Sequence, residues 1–185
     1  MEENTKRNCD KSMTDQSIMQ VYDMAVNHFP TGSVFIEVGC YRGQSACYLA
    51  SAIEKSGKDI KLYCIDKWED SKELSITDSI FNEFWQNVKK YDKIIKPIMF
   101  DSSSALSLFS DVDFIFIDGD HSFEGVSKDL EAAKKAIKAD GWIAGHDYSQ
   151  DVYKAVFKFC SPAVVDNIQN TSYIIKEDKS FLTVE

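Results

Sequence analysis

The chain has 185 residues, 44% of them hydrophobic, which fits one globular domain with a single core. Its 21 basic and 30 acidic side chains give a net charge of −9, so the chain would on balance repel the phosphate backbone of a nucleic acid. The polar start lacks the apolar core of a secretory signal, and no run reaches the roughly 18 apolar residues of a membrane span. We therefore expect a cytoplasmic protein whose partner is a small molecule, with no nucleic-acid or membrane partner; its oligomeric state is open.

The five cysteines show no CxxC spacing, which argues against a zinc knuckle or a disulfide scaffold. Three of them lie in apolar runs, where a thiol behaves as a small buried hydrophobic group. The sequence therefore predicts reduced thiols.

Residues 1–12 are polar and predict a disordered tail, and residues 13–185 predict a single domain. Hydrophobic periodicity predicts the helices Met13–Phe29, Gly43–Lys55, Thr77–Tyr91, Ser103–Phe109, Ser122–Ala139 and Asp151–Cys160. It predicts the strands Val34–Val38, Leu62–Ile65, Ile94–Phe100, Phe114–Ile117, Trp142–Ala144, Ala163–Val165 and Tyr173–Lys176. Strands such as VFIEV are apolar at nearly every position, as parallel strands covered on both faces are. The pattern predicts a doubly wound α/β sheet.

Acidic residues follow the first five predicted strands, at the carboxyl ends where open α/β sheets bind ligands. These strand ends carry Glu37 with Gly39, Asp66, Asp101, Asp118, and the pair His146 and Asp147. One such acid alone is commonly a turn former or a helix cap. Five in succession predict a ligand-binding rim.

The stretch EVGCYRGQS is typical of a strand, a turn and the start of a helix. Gly39 would let the backbone approach a ligand closely, and Gly43 would let the helix start tightly against the sheet. Tyr41 stands where the dinucleotide fingerprint has a glycine, so no pyrophosphate cradle is predicted. Asp66 is placed to accept hydrogen bonds from a ribose diol, and Trp68 to stack on a purine. Alternatively, Trp68 belongs to the core and Asp66 caps a turn.

Five stretches, in this order and spacing, resemble the class I S-adenosylmethionine-dependent methyltransferases. They are EVGCYRGQSACYLA, CIDKW, FDSSSAL, FIFIDGDHSFEGVSKDLEAA and GWIAGHDY. More narrowly, they resemble the small-molecule O-methyltransferase branch that includes sugar methyltransferases of the macrolide-tailoring type. The resemblance runs from Val34 to Tyr148. It implies a Rossmann-like, mostly parallel seven-stranded sheet with helices on both faces, and S-adenosyl-L-methionine as the cofactor.

The resemblance also implies how the cofactor is held. Glu37 and Gly39 would lie at its methionine and ribose end, and Asp66 would bind the ribose hydroxyls. Asp101 and Ser102 would contact the adenine edge. The predicted cofactor-binding residues are therefore Glu37, Gly39, Gly43, Asp66, Trp68, Asp101 and Ser102.

The resemblance implies a divalent metal site at Asp118, His146 and Asp147, holding Mg²⁺ or Mn²⁺, because these residues follow neighbouring strands of the fold. The family often has an acid where this chain has His146. Imidazole favours Mn²⁺, Fe²⁺ or Zn²⁺ over Mg²⁺, so either the metal differs or His146 lies beside the ion without binding it. Alternatively, Asp147 caps the next helix, His146 forms hydrogen bonds beneath a loop, and there is no metal.

His121 occupies the position of the general base in the resembling sugar methyltransferases. A helix start and a nearby cation would lower its pKa and keep the imidazole neutral. Alternatively, His121 caps the helix. Alternating charges along that helix, among them Lys128 and Asp129, predict a solvated face.

The expected function is S-adenosylmethionine-dependent O-methylation of a small-molecule hydroxyl, with a sugar as the named candidate acceptor, metal assistance and His121 as the base. Two rivals stay open. One is a metal-dependent hydrolase or hydroxylase that uses the same acid and histidine residues without a methyl donor. The other is a non-catalytic nucleoside-binding domain.

Overall fold

The computed structural model describes residues 14–69 and 80–176. The predicted tail 1–12 and the first three residues of the predicted helix Thr77–Tyr91 lie outside the described residues. Among the helices in the described ranges, none combines the length and the apolar character that crossing a membrane requires.

Helices and strands alternate along the described chain. The α-helices are α1 Gln16–His28, α2 Gln44–Ser56, α3 Ile80–Val88, α4 Ser102–Leu106, α5 Phe123–Ala136 and α6 Gln150–Phe159. The strands are β1 Val34–Val38, β2 Lys61–Asp66, β3 Ile95–Met99, β4 Val112–Ile117, β5 Ile137–Gly145, β6 Val165–Ile168 and β7 Ser172–Lys176. Two short 3₁₀ turns, Lys89–Tyr91 and Pro162–Val164, precede β3 and β6.

The strands form a seven-stranded sheet in the order β3-β2-β1-β4-β5-β7-β6. Neighbouring strands among β1 to β5 are parallel, and β7 runs antiparallel to both of its neighbours. The predicted fold class is confirmed. Strand β3 is at an edge, where Pro97 is tolerated because its missing N–H faces no partner strand. In β4 and β5, Ile117 is opposite Gly145, so the residues that follow these two strands lie side by side.

The core has two layers because successive side chains of a strand point to opposite faces of the sheet. In β1, Phe35 packs with residues of α1, α2 and α3 on one face. Ile36 and Val38 pack with residues of α4, α5 and α6 on the other. Helices therefore cover both faces, as the apolar strands predicted.

Several predicted boundaries differ from the observed ones, and two of the differences change the type of element to which residues belong. The helix predicted to end at Ala139 ends at Ala136, because Ile137 is already extended and pairs with Val112 at the start of β4. Strand β5 accordingly begins five residues earlier than predicted. The strand predicted at Ala163–Val165 is mostly a 3₁₀ turn, and β6 starts only at its last residue.

The described cysteines differ from one another. Cys40, Cys64 and Cys160 are buried free thiols, as expected. Cys47 is disulfide-bonded, so the prediction of reduced thiols is wrong at this position. Sequence spacing identifies zinc knuckles and dense scaffolds, whereas a single disulfide depends on distance in the fold.

Candidate functional site

Two hollows meet at the carboxyl ends of the parallel strands. The large hollow, about 490 Å³, is lined by residues that follow β1 to β4 and by the first turns of α5. The small hollow, about 300 Å³, lies between the start of α1, the start of α2 and the loops after β4 and β5. Gly39, Tyr41 and Asp118 line both. The rim that the sequence predicted is therefore a continuous two-part depression.

Gly39 brings the loops after β1 and β4 together. Its φ is +82°, and a Cβ at this position would lie 2.1 Å from the carbonyl oxygen of Asp118. Both observations exclude an ordinary side chain here. The close approach is to the loop after β4, and Gly39 lines both hollows. Its predicted contact with a ligand stays a prediction.

Asp66 follows β2 and lines the large hollow. One of its carboxylate oxygens accepts a hydrogen bond from the N–H of Tyr41 at 2.8 Å, and the other accepts one from the N–H of Trp68 at 2.7 Å. These bonds hold Tyr41 at a φ of +44°, which a bulky residue rarely adopts. Each oxygen keeps a lone pair, so Asp66 supports a turn and can still accept hydrogen bonds from a diol.

Trp68 does not lie where the sequence predicted. Only 1% of it is exposed, and it does not line either hollow. Its ring packs against Phe81 and Phe84, and its indole N–H donates to the carbonyl oxygen of Tyr41 at 2.8 Å. The prediction that Trp68 stacks on a purine is corrected: the residue belongs to the core beneath α3.

Gly43 also has a packing role. It precedes α2 with a φ of +79°, and a Cβ would lie 2.8 Å from side-chain atoms of Phe84 and Val88. It lines neither hollow. Gly43 therefore allows α2 to approach α3, whereas the sequence predicted an approach to the sheet and a contact with the cofactor.

Glu37 is fully buried and lines neither hollow. Ser45, which lines the small hollow, donates its hydroxyl hydrogen to Glu37 Oε1. Within the described residues, Glu37 Oε2 and the Tyr22 hydroxyl have no hydrogen-bond partner. Burial raises the pKa of Glu37 to about 8, and the charge of Asp118 adds to the rise. Glu37 thus reaches the small hollow only through Ser45, and the lining does not support the predicted direct contact of Glu37 with a cofactor.

Asp101 lines the large hollow, but its carboxylate is already occupied. It caps α4, where Oδ1 accepts hydrogen bonds from the hydroxyl groups of Ser103 and Ser104 and from the N–H of Ser104. Oδ2 lies 3.1 Å from Lys67 Nζ. The hydrogen bonds from Ser103 and Ser104 hold the pKa of Asp101 well below its usual range. An acid with four donors is a poor candidate for a further ligand contact.

Asp129 is a residue of the large hollow that the sequence reasoning missed. It is 4% exposed, although its charged neighbours predicted a solvated face. Ser102, also in the lining, donates its hydroxyl hydrogen to Asp129 Oδ1 at 2.6 Å. Helical spacing was the available signal, since Asp129 is three residues after the buried Val126 and one before the buried Leu130.

Two aspartates and two histidines form what we call the acid–histidine cluster, namely Asp118, His121, His146 and Asp147. His121 Nε2 is 3.2 Å from Asp118 Oδ1, and its Nδ1 is 3.2 Å from Asp147 Oδ2. His146 Nδ1 is 3.3 Å from Asp147 Oδ1 and 3.6 Å from Asp118 Oδ1. All four residues line the small hollow. The structure thus brings the predicted metal ligands and the predicted base together.

The capping alternatives for this cluster are not observed. Ser122 caps α5, since its hydroxyl oxygen accepts a hydrogen bond from the N–H of Gly125 at 3.0 Å. His121 precedes that cap. Ser149 occupies the N-cap position of α6, so Asp147 is two residues too early to cap it. The imidazole and the carboxylate are therefore available to the small hollow.

The donor set of the cluster fits a divalent cation. Asp118, His121 and Asp147 each offer one ligand atom, and these atoms lie within 4.8 Å of one another. The histidine of this group is His121, the predicted base, and not the predicted ligand His146. Within the described residues, His146 Nε2 is buried without a hydrogen-bond partner, and Asp15 Oδ2 is 3.9 Å away from it. Two carboxylates with imidazole suit Mn²⁺, Fe²⁺ or Zn²⁺ better than Mg²⁺.

The pKa of His121 shifts in the opposite direction to the expectation. The hydrogen bond to Asp118 raises the pKa of His121, and the charges of Asp147 and Asp120 add to this rise against the opposing effect of burial. The expected lowering of the pKa assumed that a nearby cation and the start of α5 dominate the electrostatic environment of His121. The carboxylates dominate in the protein alone.

A family model described as a methyltransferase domain matches residues 36–148, which is more than half of the chain. An uncharacterized protein of Acanthamoeba polyphaga mimivirus is 28% identical over 148 residues, covering 75% of this chain and 62% of that protein. The chain thus spans less than two thirds of the length of this curated relative.

Several solved structures share the fold. The O-methyltransferase NovP is 16% identical, with a TM-score of 0.68, over 88% of this chain and 80% of its own. A putative caffeoyl-CoA O-methyltransferase from Staphylococcus aureus is 15% identical, with a TM-score of 0.64, over 89% and 85%. A putative rRNA methylase from Clostridium thermocellum is 14% identical, with a TM-score of 0.64, over 89% and 99%. From the family model and this fold, the chain belongs to the methyltransferase-domain family.

Proposed function

We propose that the chain is an S-adenosylmethionine-dependent O-methyltransferase that acts on a hydroxyl group of a small molecule, with a sugar as the favoured acceptor class. A divalent metal assists, and His121 is the general base. The observation that carries this proposal is the meeting of the two hollows at Gly39 and Asp118. One hollow has the features of a nucleoside site, and the other contains the acid–histidine cluster.

The large hollow suits the nucleoside half of the cofactor. Asp66, with a free lone pair on each oxygen, would accept hydrogen bonds from the ribose hydroxyls. The purine would extend toward Ser102 and α5, where the hollow continues. Helix α2 has no side-chain cap, and its first N–H groups lie beside the small hollow, a location that favours the carboxylate of the methionine half.

The acid–histidine cluster would act on the acceptor. His121 would take the proton of the acceptor hydroxyl on one ring nitrogen, while the other ring nitrogen donates its N–H to an aspartate. The acceptor hydroxyl would replace the second aspartate at the nitrogen that takes the proton. A divalent cation bound by these aspartates would supply Lewis-acid chemistry that makes the hydroxyl more acidic. The methyl group moves from the sulfonium sulfur to the acceptor oxygen, and S-adenosylhomocysteine leaves with the former C–S electron pair. The fixed geometry of both hollows would provide much of the rate through positioning.

The acceptor class follows from charge and lining. The small hollow is lined by carboxylate and imidazole groups, which match a hydroxyl-rich acceptor. A net charge of −9 disfavours RNA as the acceptor, although a putative rRNA methylase shares the fold. The two neighbours named as O-methyltransferases agree with oxygen as the methylated atom.

Calorimetry tests the proposal, with S-adenosylmethionine and S-adenosylhomocysteine as titrants, followed by transfer of a labelled methyl group to a panel of sugars and other polyols. The expected result is binding of both titrants and transfer that needs a divalent metal. Tight metal binding without heat from either titrant would instead support a hydrolase or hydroxylase. Cofactor binding without any transfer would support a non-catalytic nucleoside-binding domain.

A further inference from the structure

We propose that Asp129 selects an amino-purine at the α5 end of the large hollow, by accepting a hydrogen bond from the exocyclic amino group of the base. The inference rests on the proposed function in one respect, namely that the large hollow holds the nucleoside half of the cofactor. It assigns adenine recognition to a buried side chain of α5 rather than to Asp101, the acid that follows β3.

The position of Asp129 calls for a ligand. The residue is 4% exposed and lines the large hollow from the middle of α5. Its Oδ1 accepts the hydroxyl hydrogen of Ser102 at 2.6 Å. No hydrogen bond to its Oδ2 is found in residues 14–69 and 80–176, and this oxygen lies near Gly119, 3.8 Å from where a Cβ of that glycine would be. This oxygen has no donor among the described residues but is open to the hollow, so a donor from the occupant of the hollow can reach it and would stabilise the carboxylate.

Asp101 is less suitable because its Oδ1 has no lone pair left and its Oδ2 is already paired with a charged side chain. Three donors from Ser103 and Ser104 surround Oδ1, and Lys67 Nζ lies 3.1 Å from Oδ2. These contacts fix the start of α4 and leave little room for a purine amino group. Asp129 has the free oxygen that Asp101 lacks.

The electrostatics of Asp129 support an acceptor role. Burial raises its pKa to about 6; the charges of Asp101 and Asp120 add to the rise, whereas the hydrogen bond from Ser102 and the charge of Lys67 oppose it. Above pH 7 the carboxyl group is therefore mostly ionised and can only accept hydrogen bonds. Such a group attracts the amino group of adenine and repels the carbonyl oxygen of a 6-oxo-purine.

The test compares two nucleosides that differ at this one position. Calorimetry at pH 8 gives the Kd of S-adenosylhomocysteine and of its 6-oxo analogue, S-inosylhomocysteine, for the wild type, Asp129→Asn and Glu131→Gln. Glu131 is an exposed acid on the same helix and serves as the matched control. The wild type and Glu131→Gln should favour the amino form by about 10- to 100-fold, the range for a hydrogen bond to a charged group. Asp129→Asn should reduce this preference to within about threefold, because its amide can donate to the oxo group.

Three results would overturn the inference, and they are distinguishable. If Asp129→Asn kept the wild-type preference, Asp129 would only tie α5 to Ser102. Equal affinity of the wild type for the two nucleosides would exclude selection by any residue, whether or not the variant folds. A wild-type protein that bound neither nucleoside would contradict the proposed function itself, and the inference would fall with it.

Discussion

Asp66 and Asp101, at the rim of the large hollow, accept hydrogen bonds from backbone N–H groups, whereas Asp118 and Asp147 form side-chain contacts only with histidines, as far as the described residues go. The first pair is stabilised by fixed dipoles, and Asp66, which keeps a lone pair on each oxygen, can receive a neutral hydroxyl-bearing ligand without a change of charge. The second pair brings two negative charges together, which a proton on a histidine or a bound cation must offset. Aspartates at the same edge of the sheet thus suit two different kinds of ligand, a neutral hydroxyl-bearing molecule and a cation.

The largest expected effect is on turnover at the acid–histidine cluster. His121→Ala should lower kcat by roughly 10²- to 10⁴-fold, because the acceptor hydroxyl loses its general base. The affinity for S-adenosylhomocysteine should stay near the wild-type value, since His121 does not line the large hollow that would hold the nucleoside. His28→Ala, at the end of α1, is the control and should leave kcat unchanged. Unchanged turnover in His121→Ala would remove this residue from the mechanism.

The next effect concerns the buried acid beneath the two hollows. The pKa of Glu37 is raised from 4.5 to about 8, so between these pH values the folded chain holds a proton that the unfolded chain has released. The contribution of Glu37 to the free energy of unfolding of the wild type is fully present below pH 4.5. As the pH rises it decreases by up to about 1.4 kcal/mol per pH unit, and the decrease ends once the pH passes about 8.

Glu37→Gln cannot titrate at this position, so its stability relative to the wild type should increase from pH 5 to pH 8. Urea denaturation of both proteins at several pH values measures the difference. If the free energies of unfolding of the two proteins changed with pH in parallel, Glu37 would be ionised in the folded protein. Its protonation state would then not differ from that of the ionised acids of the rim.

The smallest effect separates the two pairs of acids by stability. Asp101→Ala removes the cap of α4 and the contact with Lys67, and should cost about 0.5–2 kcal/mol. Asp118→Asn at pH 8, in the absence of metal, should cost less or even stabilise the chain, since one of two neighbouring carboxylates is neutralised. Thermal unfolding of the two variants makes the comparison. An equal loss of stability in both variants would contradict the claim that the charge of Asp101 is compensated by its neighbours whereas the charge of Asp118 is not.

Much of the site follows from the sequence, because residues after parallel strands converge on one edge whatever the details of packing. Asp118 and the pair at 146 and 147 end adjacent strands, and their side chains meet as predicted from that rule. Gly39 similarly lies at the junction of the hollows, since only glycine allows the required backbone approach.

The predictions that failed depend on how helices pack onto this frame. Trp68 lost its proposed stacking role because α3 covers it, and nothing in the local sequence fixes the position of that helix. Asp129 was assigned to a solvated face by its charged neighbours, but the hydroxyl of Ser102 at the start of α4 meets it and buries it. Ile137 continued a helical pattern, yet pairing with β4 decided its conformation. Tertiary contacts overrode local preference in each case.

The central claim is that the small hollow holds a cation beside a separate nucleoside site. Calorimetric titration of the wild type, Asp118→Asn and the exposed control Asp151→Asn with Mn²⁺ and, separately, with S-adenosylhomocysteine tests it most directly. We predict that the wild type and Asp151→Asn bind both, and that Asp118→Asn loses at least about tenfold in Mn²⁺ affinity, as expected for a lost ligand, while its nucleoside affinity is retained. Absence of Mn²⁺ binding by the wild type, or equal Mn²⁺ affinity in all three proteins, would contradict the account.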